Sequence, residues 1–198
     1  MFKSSEIEKL QEEIAKELDG KRFWHTIGVA HTAATLAMRY DVDMNTAYVA
    51  GLLHDCAKCI SDKKKLSICK KNGIPVSETE QTNPSLLHAK VGAFLAKDKY
   101  HIDDDSIIDA IAYHTTGRPN MTDLEQIIYI ADYIEPGRNK APNLDEIRHL
   151  AFIDKEKALI KILEDSLFYL QDSSQEIDLI TQQTYDYYKN KQEGEHYE

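Results

Sequence analysis

The chain has few of the residues that interrupt helices: five prolines and eight glycines among 198 residues. It also lacks any stretch of strict polar–apolar alternation long enough to predict a strand. Apolar residues instead recur at i, i+3, i+4 and i+7, the spacing of amphipathic helices. The sequence therefore predicts an all-α protein.

Cysteines and long apolar runs are also scarce. The odd set Cys56, Cys59 and Cys69 cannot form a complete disulfide framework, so we expect reduced thiols. No apolar run approaches the roughly 20 residues needed to cross a bilayer. The stretch MFKSSEIEKLQEEIAKEL has the pattern of an amphipathic helix rather than a signal sequence. We expect a cytoplasmic protein without a membrane partner.

Basic residues are outnumbered, with 24 Lys and Arg against 34 Asp and Glu, for a net charge of -10. A nucleic-acid polymer is held by a surplus of cations, so this balance argues against such a partner. A small polyanion can still bind where a few cations gather locally.

Helical periodicity covers most of the chain without a low-complexity linker, which predicts one domain over residues 1–198. The predicted helices span residues 4–18, 22–40, 43–57, 61–72, 84–97, 104–115, 122–135, 143–150, 153–171 and 175–191. Residues 141–191 carry no recognisable chemistry, and we expect their helices to complete the fold or to form a dimer contact.

Four of the eight histidines lie in apolar helical stretches: His25, His54, His88 and His114. A buried imidazole without a partner costs about 1–3 kcal/mol, so four such residues call for a common explanation. The other four are predicted to lie away from any site; they are His31, His101, His149 and His196.

Two carboxylates occur in equally apolar surroundings. Asp55 follows His54 at the end of the run AYVAGLLHD, and Asp132 follows the run LEQIIYIAD. An ionised carboxylate is costly there unless it is paired, and a divalent cation would remove that cost. Together with His25, these residues form a mixed nitrogen and oxygen ligand set that suits Fe, Mn or Zn.

CAKC, at residues 56–59, offers a second metal or redox motif. It has no partner pair elsewhere and no strand before it, so we interpret its cysteines as small apolar helix residues.

The ordered blocks RFWHTIGVAHTAATLA, AGLLHDCAK, NPSLLHAKVGAFLA and AYHTTGRPNMTDLEQIIYIADYIEPGR resemble the HD-domain superfamily of metal-dependent phosphohydrolases. Within it they look like the YqeK-type symmetrical diadenosine tetraphosphate (Ap4A) hydrolases of bacteria. The blocks cover most of residues 20–140, and HTTGRPNMT together with ADYIEPGR is their most specific part.

The resemblance implies an HD-domain helical bundle that hydrolyses Ap4A and related dinucleoside tetraphosphates to two nucleoside diphosphates. It implies a site holding iron or a similar transition metal, with Mn, Co or Zn as alternatives. By the same resemblance the primary ligands are His25, His54, Asp55 and Asp132. His88 and His114 then bind a second metal or hold the phosphate.

The predicted chemistry is attack by a metal-activated water, with compensation for charge on the phosphoryl oxygens. If two ions bind, Asp55 is the expected bridge. If one binds, His88 or His114 hydrogen-bonds the phosphate or transfers a proton. The predicted catalytic residues are Asp55, Lys58, His88 and His114.

Local cations are expected to hold the substrate. Lys58 lies three residues after Asp55 and should share its helical face. Arg118 and Arg138 lie in loops beside the predicted ligand helices, and Arg22 is a weaker candidate. The full predicted substrate-binding set is His25, Lys58, His88, His114, Thr115, Arg118 and Arg138.

Two other functions stay open at this stage. One is an HD hydrolase for another nucleotide, such as a dNMP, a cyclic dinucleotide or a guanosine alarmone. The other is a non-catalytic helical module that binds a nucleotide or a partner protein. The complete set of six metal-type residues disfavours the second.

Overall fold

A computed structural model describes residues 2–172 and 178–195, and this part of the chain is helical without strands. The all-α prediction is confirmed. The helices are α1 Ser4–Glu17, α2 Gly20–Arg39, α3 Met44–Leu53, α4 Asp62–Asn72, α5 Glu78–Thr82, α6 His88–Asp98, α7 Asp105–Tyr113, α8 Asp123–Ile134, α9 Leu144–Ala151, α10 Lys155–Asp172 and α11 Leu179–Glu195.

Side-chain caps fix where the helices of the core begin. The carboxylates of Asp19 and Asp43 accept hydrogen bonds from the backbone N–H groups of Arg22 and Thr46, at the starts of α2 and α3. Thr122 caps α8 with a reciprocal capping box. Each cap satisfies N–H groups that a helix leaves unpaired in its first turn.

The core forms where α2, α3, α7 and α8 pack together. Small residues let α2 and α3 approach closely: a Cβ added at Gly51 would lie 2.8 Å from the Cα of Ala30. The facing surface of α2 is similarly small, with Ala30, Ala33 and Ala37 fully buried. This close packing brings the N-terminal half of α2 to the end of α3.

Two predicted boundaries were wrong. Helix α3 ends at Leu53 rather than at residue 57, and residues 54–59 form successive turns in which Cys56 and Lys58 donate to the carbonyls three residues earlier. The predicted helix 84–97 begins with a separate 3₁₀ turn, Pro84–Leu87, and α6 starts only at His88. Both differences place a histidine at a helix end.

The last predicted helix, 175–191, is observed as α11, Leu179–Glu195, so it ends four residues later than predicted. The five-residue helix α5 was not predicted. The predicted end of α4 at Asn72-Gly73 is confirmed, since Gly73 adopts the left-handed conformation with φ 67°. Residues 175–177 of the last predicted helix lie outside the described residues.

The C-terminal helices pack onto the core through α10, which contacts α8, α9 and α11. Tyr188 of α11 is buried, and its hydroxyl accepts a hydrogen bond from the backbone N–H of Met121 at 2.8 Å. None of the helices within the described ranges is both long and apolar enough to cross a membrane.

Candidate metal centre

The ends of five helices bring the six predicted ligands together. His25 lies in the first half of α2, His54 and Asp55 directly follow α3, and Asp132 lies in the last turn of α8. His88 is the first residue of α6, and His114 directly follows α7. The six residues fall into three overlapping groups in which all ligand atoms lie within 4.8 Å of one another.

Asp55 lies between two pairs of histidines. Its Oδ2 is 3.6 Å from His54 Nε2 and 4.0 Å from His25 Nε2. Its Oδ1 is 3.3 Å from His88 Nε2 and 3.7 Å from His114 Nε2. Each carboxylate oxygen thus faces a different histidine pair, the arrangement expected of a residue that bridges two cation positions.

Backbone carbonyls set the orientation of three of the imidazoles. The Nδ1 atoms of His54, His88 and His114 donate to the carbonyl oxygens three residues earlier, at 2.6, 2.6 and 2.8 Å. A carbonyl oxygen only accepts, so the proton is on Nδ1 and Nε2 carries an accepting lone pair. All three lone pairs point into the cluster.

These lone pairs lie close together without a proton between them. The Nε2 atoms of His88 and His114 are 3.2 Å apart. His25 Nε2, His54 Nε2 and Asp55 Oδ1 are buried without a hydrogen-bond partner among the described residues. Burying unpaired acceptors is costly, and a cation bound among them would satisfy all of them. The residues present therefore fit a divalent metal of the transition series.

The local electrostatics keep four of the ligands in their metal-binding forms, whereas contacts with Asp132 and Glu135 outweigh burial and raise the pKa of His25. Burial lowers the pKa of His54 to about 4 and that of His88 to about 3. Burial would raise the pKa of Asp55 and Asp132, but neighbouring histidines outweigh it and hold both below the usual range. At neutral pH the two imidazoles are neutral and the carboxylates are ionised, as metal binding requires.

Three cations surround the cluster. Arg22 Nη1 lies 2.9 Å from Asp55 Oδ2, and Arg138 Nη2 lies 2.6 Å from Asp132 Oδ1. Lys58 donates to His88 Nε2 at 3.0 Å and lies 3.8 Å from Asp55 Oδ1.

Arg22, the weaker candidate by sequence, is therefore in direct contact with a predicted ligand. Lys58 reaches Asp55 through a turn rather than along the helix that the sequence predicted.

Thr115 and Arg118 differ in where they lie. The hydroxyl of Thr115 is 3.2 Å from His114 Nε2 and 3.3 Å from His88 Nε2, at the edge of the cluster. Arg118 instead pairs with Asp109 and Glu125 and stacks on the Tyr113 ring. The structure does not bring Arg118 to the cluster, and its substrate role stays a prediction that its contacts do not support.

The sequence analysis missed Glu135. This buried carboxylate accepts from His25 Nδ1 at 3.0 Å, while Nε2 of His25 lies 3.0 Å from Asp132 Oδ1. Gly28 makes room for it, since a Cβ at Gly28 would lie 2.6 Å from Glu135 Oε2. The available signal was its spacing, because Glu135 lies three residues after Asp132 at the end of the same helix.

Three of the remaining histidines lie where the sequence predicted. His31 is exposed and contacts the Tyr48 ring edge-on, and His101 and His149 are exposed. His196 lies outside the described residues.

The cysteines were interpreted only partly correctly. All three are free, and Cys56 and Cys69 are buried as small apolar residues. Cys56 and Cys59 lie in the turns after α3, so their predicted helical setting was wrong, and Cys59 is exposed rather than apolar in its surroundings.

Two clefts open beside the cluster and share Arg138 in their walls. The larger, of about 690 Å³, lies between the N-terminal half of α2 and the turn after α8 and reaches His25. The smaller, of about 200 Å³, reaches His114 and Asp132 and is lined further on by Tyr133 and other residues of α8 and α10. The cluster is thus accessible from two sides.

The fold and this site define a helical protein whose converging His and Asp residues could hold a divalent metal. The HD domain family matches residues 22–137, and the chain belongs to that family.

Named relatives extend this comparison over most of the chain. The symmetrical bis(5'-nucleosyl)-tetraphosphatase of Bacillus subtilis is 40% identical, and the match covers 83% of this chain and 87% of that protein. The protein of the same name from Halalkalibacterium halodurans is 37% identical over 87% of this chain and 91% of its own length. A crystal structure from Clostridium acetobutylicum, described as a predicted HD superfamily hydrolase involved in NAD metabolism, superposes with a TM-score of 0.90. That chain is 39% identical, and the match covers 93% of this chain and 97% of that one.

Proposed function

We propose that this protein is a metal-dependent symmetrical hydrolase of dinucleoside tetraphosphates, converting Ap4A and water to two ADP. The observation that carries the proposal is the largely buried cluster of four imidazoles and two carboxylates, whose ligand atoms form three overlapping groups within 4.8 Å. The names of the relatives, which match over most of this chain, supply the substrate class.

The residues proposed to hold metal are His25, His54, Asp55, His88, His114 and Asp132. Iron is the proposed metal, with Mn, Co or Zn as alternatives, because this donor set mixes imidazole with carboxylate. The two oxygens of Asp55 face different histidine pairs, which favours two ions over one. A bound ion lowers the pKa of water and polarises a phosphoryl oxygen.

In the net reaction, the oxygen of water forms a bond to one inner phosphorus. The bond between that phosphorus and the bridging oxygen breaks, and the bridging oxygen leaves with the other inner phosphate. The water proton ends on a product or on a buffer base. If only one ion binds, His88 or His114 is proposed instead to accept that proton or to hydrogen-bond the phosphate through its Nε2 atom. Thr115 can donate its hydroxyl from the edge of the same group.

Cations at the rim are proposed to hold the polyphosphate. Lys58 supplies a point charge beside Asp55, and Arg138 presents a partly exposed guanidinium between the two clefts. Arg22 extends this positive edge into the larger cleft. Cleavage in the middle of a dinucleotide leaves one nucleoside diphosphate on each side, and clefts on two sides of the cluster support that regiochemistry.

We also propose that residues 1–198 form a single HD domain acting on this small substrate in the cytoplasm. The C-terminal helices of residues 141–191 complete the bundle, as the packing of α10 on α8 supports. A homodimer through these helices belongs to the same proposal.

The test compares wild type, His54→Ala and His149→Ala for metal content and for ADP release from Ap4A with Fe²⁺ or Mn²⁺. Wild type should release two ADP per Ap4A, and His54→Ala should lose metal and activity together. His149→Ala, which changes an exposed histidine, should match wild type. Absence of metal from the wild type, with no ADP released in either metal, would reject the hydrolase. Turnover of a dNMP or a cyclic dinucleotide instead of Ap4A would reject the substrate class alone.

A further inference from the structure

Trp24 is the single tryptophan of the chain, and its side chain is mostly exposed, at 71%. It precedes the predicted ligand His25 on α2 and lines the larger cleft. Phe23 touches the indole only at an angle of 60°, with ring centroids 6.0 Å apart. Among the described residues no aromatic ring stacks face to face on the indole, so a planar ligand can.

The helix geometry explains why this ring faces the cleft. Lys21, Trp24 and Gly28 are spaced three and four residues apart and share one face of α2. Gly28 has no side chain to fill the cleft, and a Cβ added there would lie 2.6 Å from Glu135 Oε2. The cleft volume of about 690 Å³ lies in the range of small-molecule sites.

The charges of the cleft complement a nucleotide. Arg22 and Arg138 lie at its inner end, where each contacts a carboxylate of the cluster, and Lys21 lies at its wall. Phosphates are bound by such cations, and nucleobases stack on indole rings regardless of sequence. The order from the cluster outward is therefore metal ligands, guanidinium groups and an aromatic plane.

We propose that Trp24 is the stacking surface for one nucleobase of the dinucleoside polyphosphate. It positions one nucleoside in the larger cleft while the inner phosphates lie at the cluster. This inference rests on the proposed function for its substrate, but it concerns nucleotide binding and can be tested separately from turnover.

Because Trp24 is the only tryptophan, its fluorescence reports this position directly. The wild-type protein, supplied with Mn²⁺, is titrated with ADP and, separately, with inorganic pyrophosphate. Stacking predicts that ADP quenches the emission and that pyrophosphate, which has no base, leaves it nearly unchanged. Equal quenching by both ligands would overturn the proposal.

Variants give the second arm, with affinities for ADP and pyrophosphate measured by calorimetry. Loss of one base stack predicts that Trp24→Ala weakens ADP binding about tenfold and leaves pyrophosphate binding within about twofold. Trp24→Phe should recover most of the affinity. Phe168→Ala, which removes a similarly exposed ring on α10, is the matched control and should match wild type. Wild-type affinity of Trp24→Ala for ADP would reject the stacking role.

The two proposals fail differently. If the protein binds ADP through Trp24 but does not cleave Ap4A, the stacking subsite is supported and the proposed hydrolase function is rejected. If the protein cleaves Ap4A and Trp24→Ala leaves KM unchanged, the hydrolase function is supported and the stacking subsite is rejected. Equal metal content and thermal stability of the variants exclude a folding defect as the cause.

Discussion

At the scale of single residues, Glu135 controls the orientation of His25. Its carboxylate accepts from His25 Nδ1, the arrangement by which a second carboxylate holds a ligand imidazole and raises its basicity. Glu135→Ala should therefore weaken metal binding about 10- to 100-fold. Glu135→Gln keeps an accepting oxygen and should lose much less.

The measurement is competition with a chelating dye for Mn²⁺ or Zn²⁺, which does not depend on activity. Glu146→Ala on α9 is the control, since it removes an exposed carboxylate away from the cluster. Unchanged metal affinity in Glu135→Ala would show that backbone packing alone orients His25.

The sequence predicted the grouping of His25, His54, Asp55 and Asp132 because each is a polar residue beside a strongly apolar run. The sequence analysis did not predict a role for Glu135, because the Pro-Gly that follows it is typical of an ordinary helix end. The sequence placed Arg118 near the substrate for a related reason. A cation in a loop has no evident partner in the sequence, but in the fold Arg118 forms ion pairs with Glu125 and Asp109.

At the scale of helices, the contact between α2 and α3 sets the distance between two predicted ligands. Gly51→Ala would force the new Cβ against the backbone of Ala30 at 2.8 Å, so the helices must separate. Overpacking of this kind costs about 1–3 kcal/mol, which should exceed the gain of about 1 kcal/mol from replacing a helical glycine. The variant should be less stable than wild type.

Chemical unfolding of the metal-free protein measures this cost. Gly20→Ala is the control, because no atom lies within 4 Å of its added Cβ, and it should be neutral or slightly stabilising. A Gly51→Ala protein as stable as Gly20→Ala would show that α2 and α3 can separate freely.

Helix ends were harder to predict than helices. The apolar run through Leu53 has no proline or glycine after it to mark a stop, so the sequence extended α3 to residue 57. The early end accompanies a tertiary arrangement: the chain turns after Leu53 and brings Asp55 between the histidines of distant helices. Local patterns do not contain that information.

At the scale of the whole molecule, the helical class could be predicted from composition and periodicity. The gathering of cations at the cluster became visible only in the folded structure. The chain carries a net charge of -10, yet Arg22, Lys58 and Arg138 come from three separate segments to contact the carboxylates of the cluster. A protein that is acidic overall can thereby bind a polyphosphate and still avoid nucleic-acid polymers.

The buried histidines also make the stability of the whole metal-free protein depend on pH. The pKa values of His54 and His88 in the folded state, about 4 and about 3, lie below the ordinary value of about 6.5. Between these values the unfolded chain binds protons that the folded protein does not, so stability should fall as the pH decreases from 6.5 toward 4. Each histidine contributes a slope of up to about 1.4 kcal/mol per pH unit.

Urea unfolding of chelator-treated protein at pH 7.5, 6.5, 5.5 and 4.5 tests this expectation. Wild type should lose free energy of unfolding as the pH falls from 6.5 toward 4.5. The raised pKa of His25 opposes this loss in part, because protonation of that imidazole favours the folded state. The low pKa values of Asp55 and Asp132 add to the loss once the pH falls below about 4. His54→Gln should show a shallower slope between pH 6.5 and 4.5, whereas His149→Gln, at an exposed position, should keep the wild-type slope. A flat profile in wild type across that window would mean that the buried imidazoles accept protons in the folded state, and that the cluster opens without its metal.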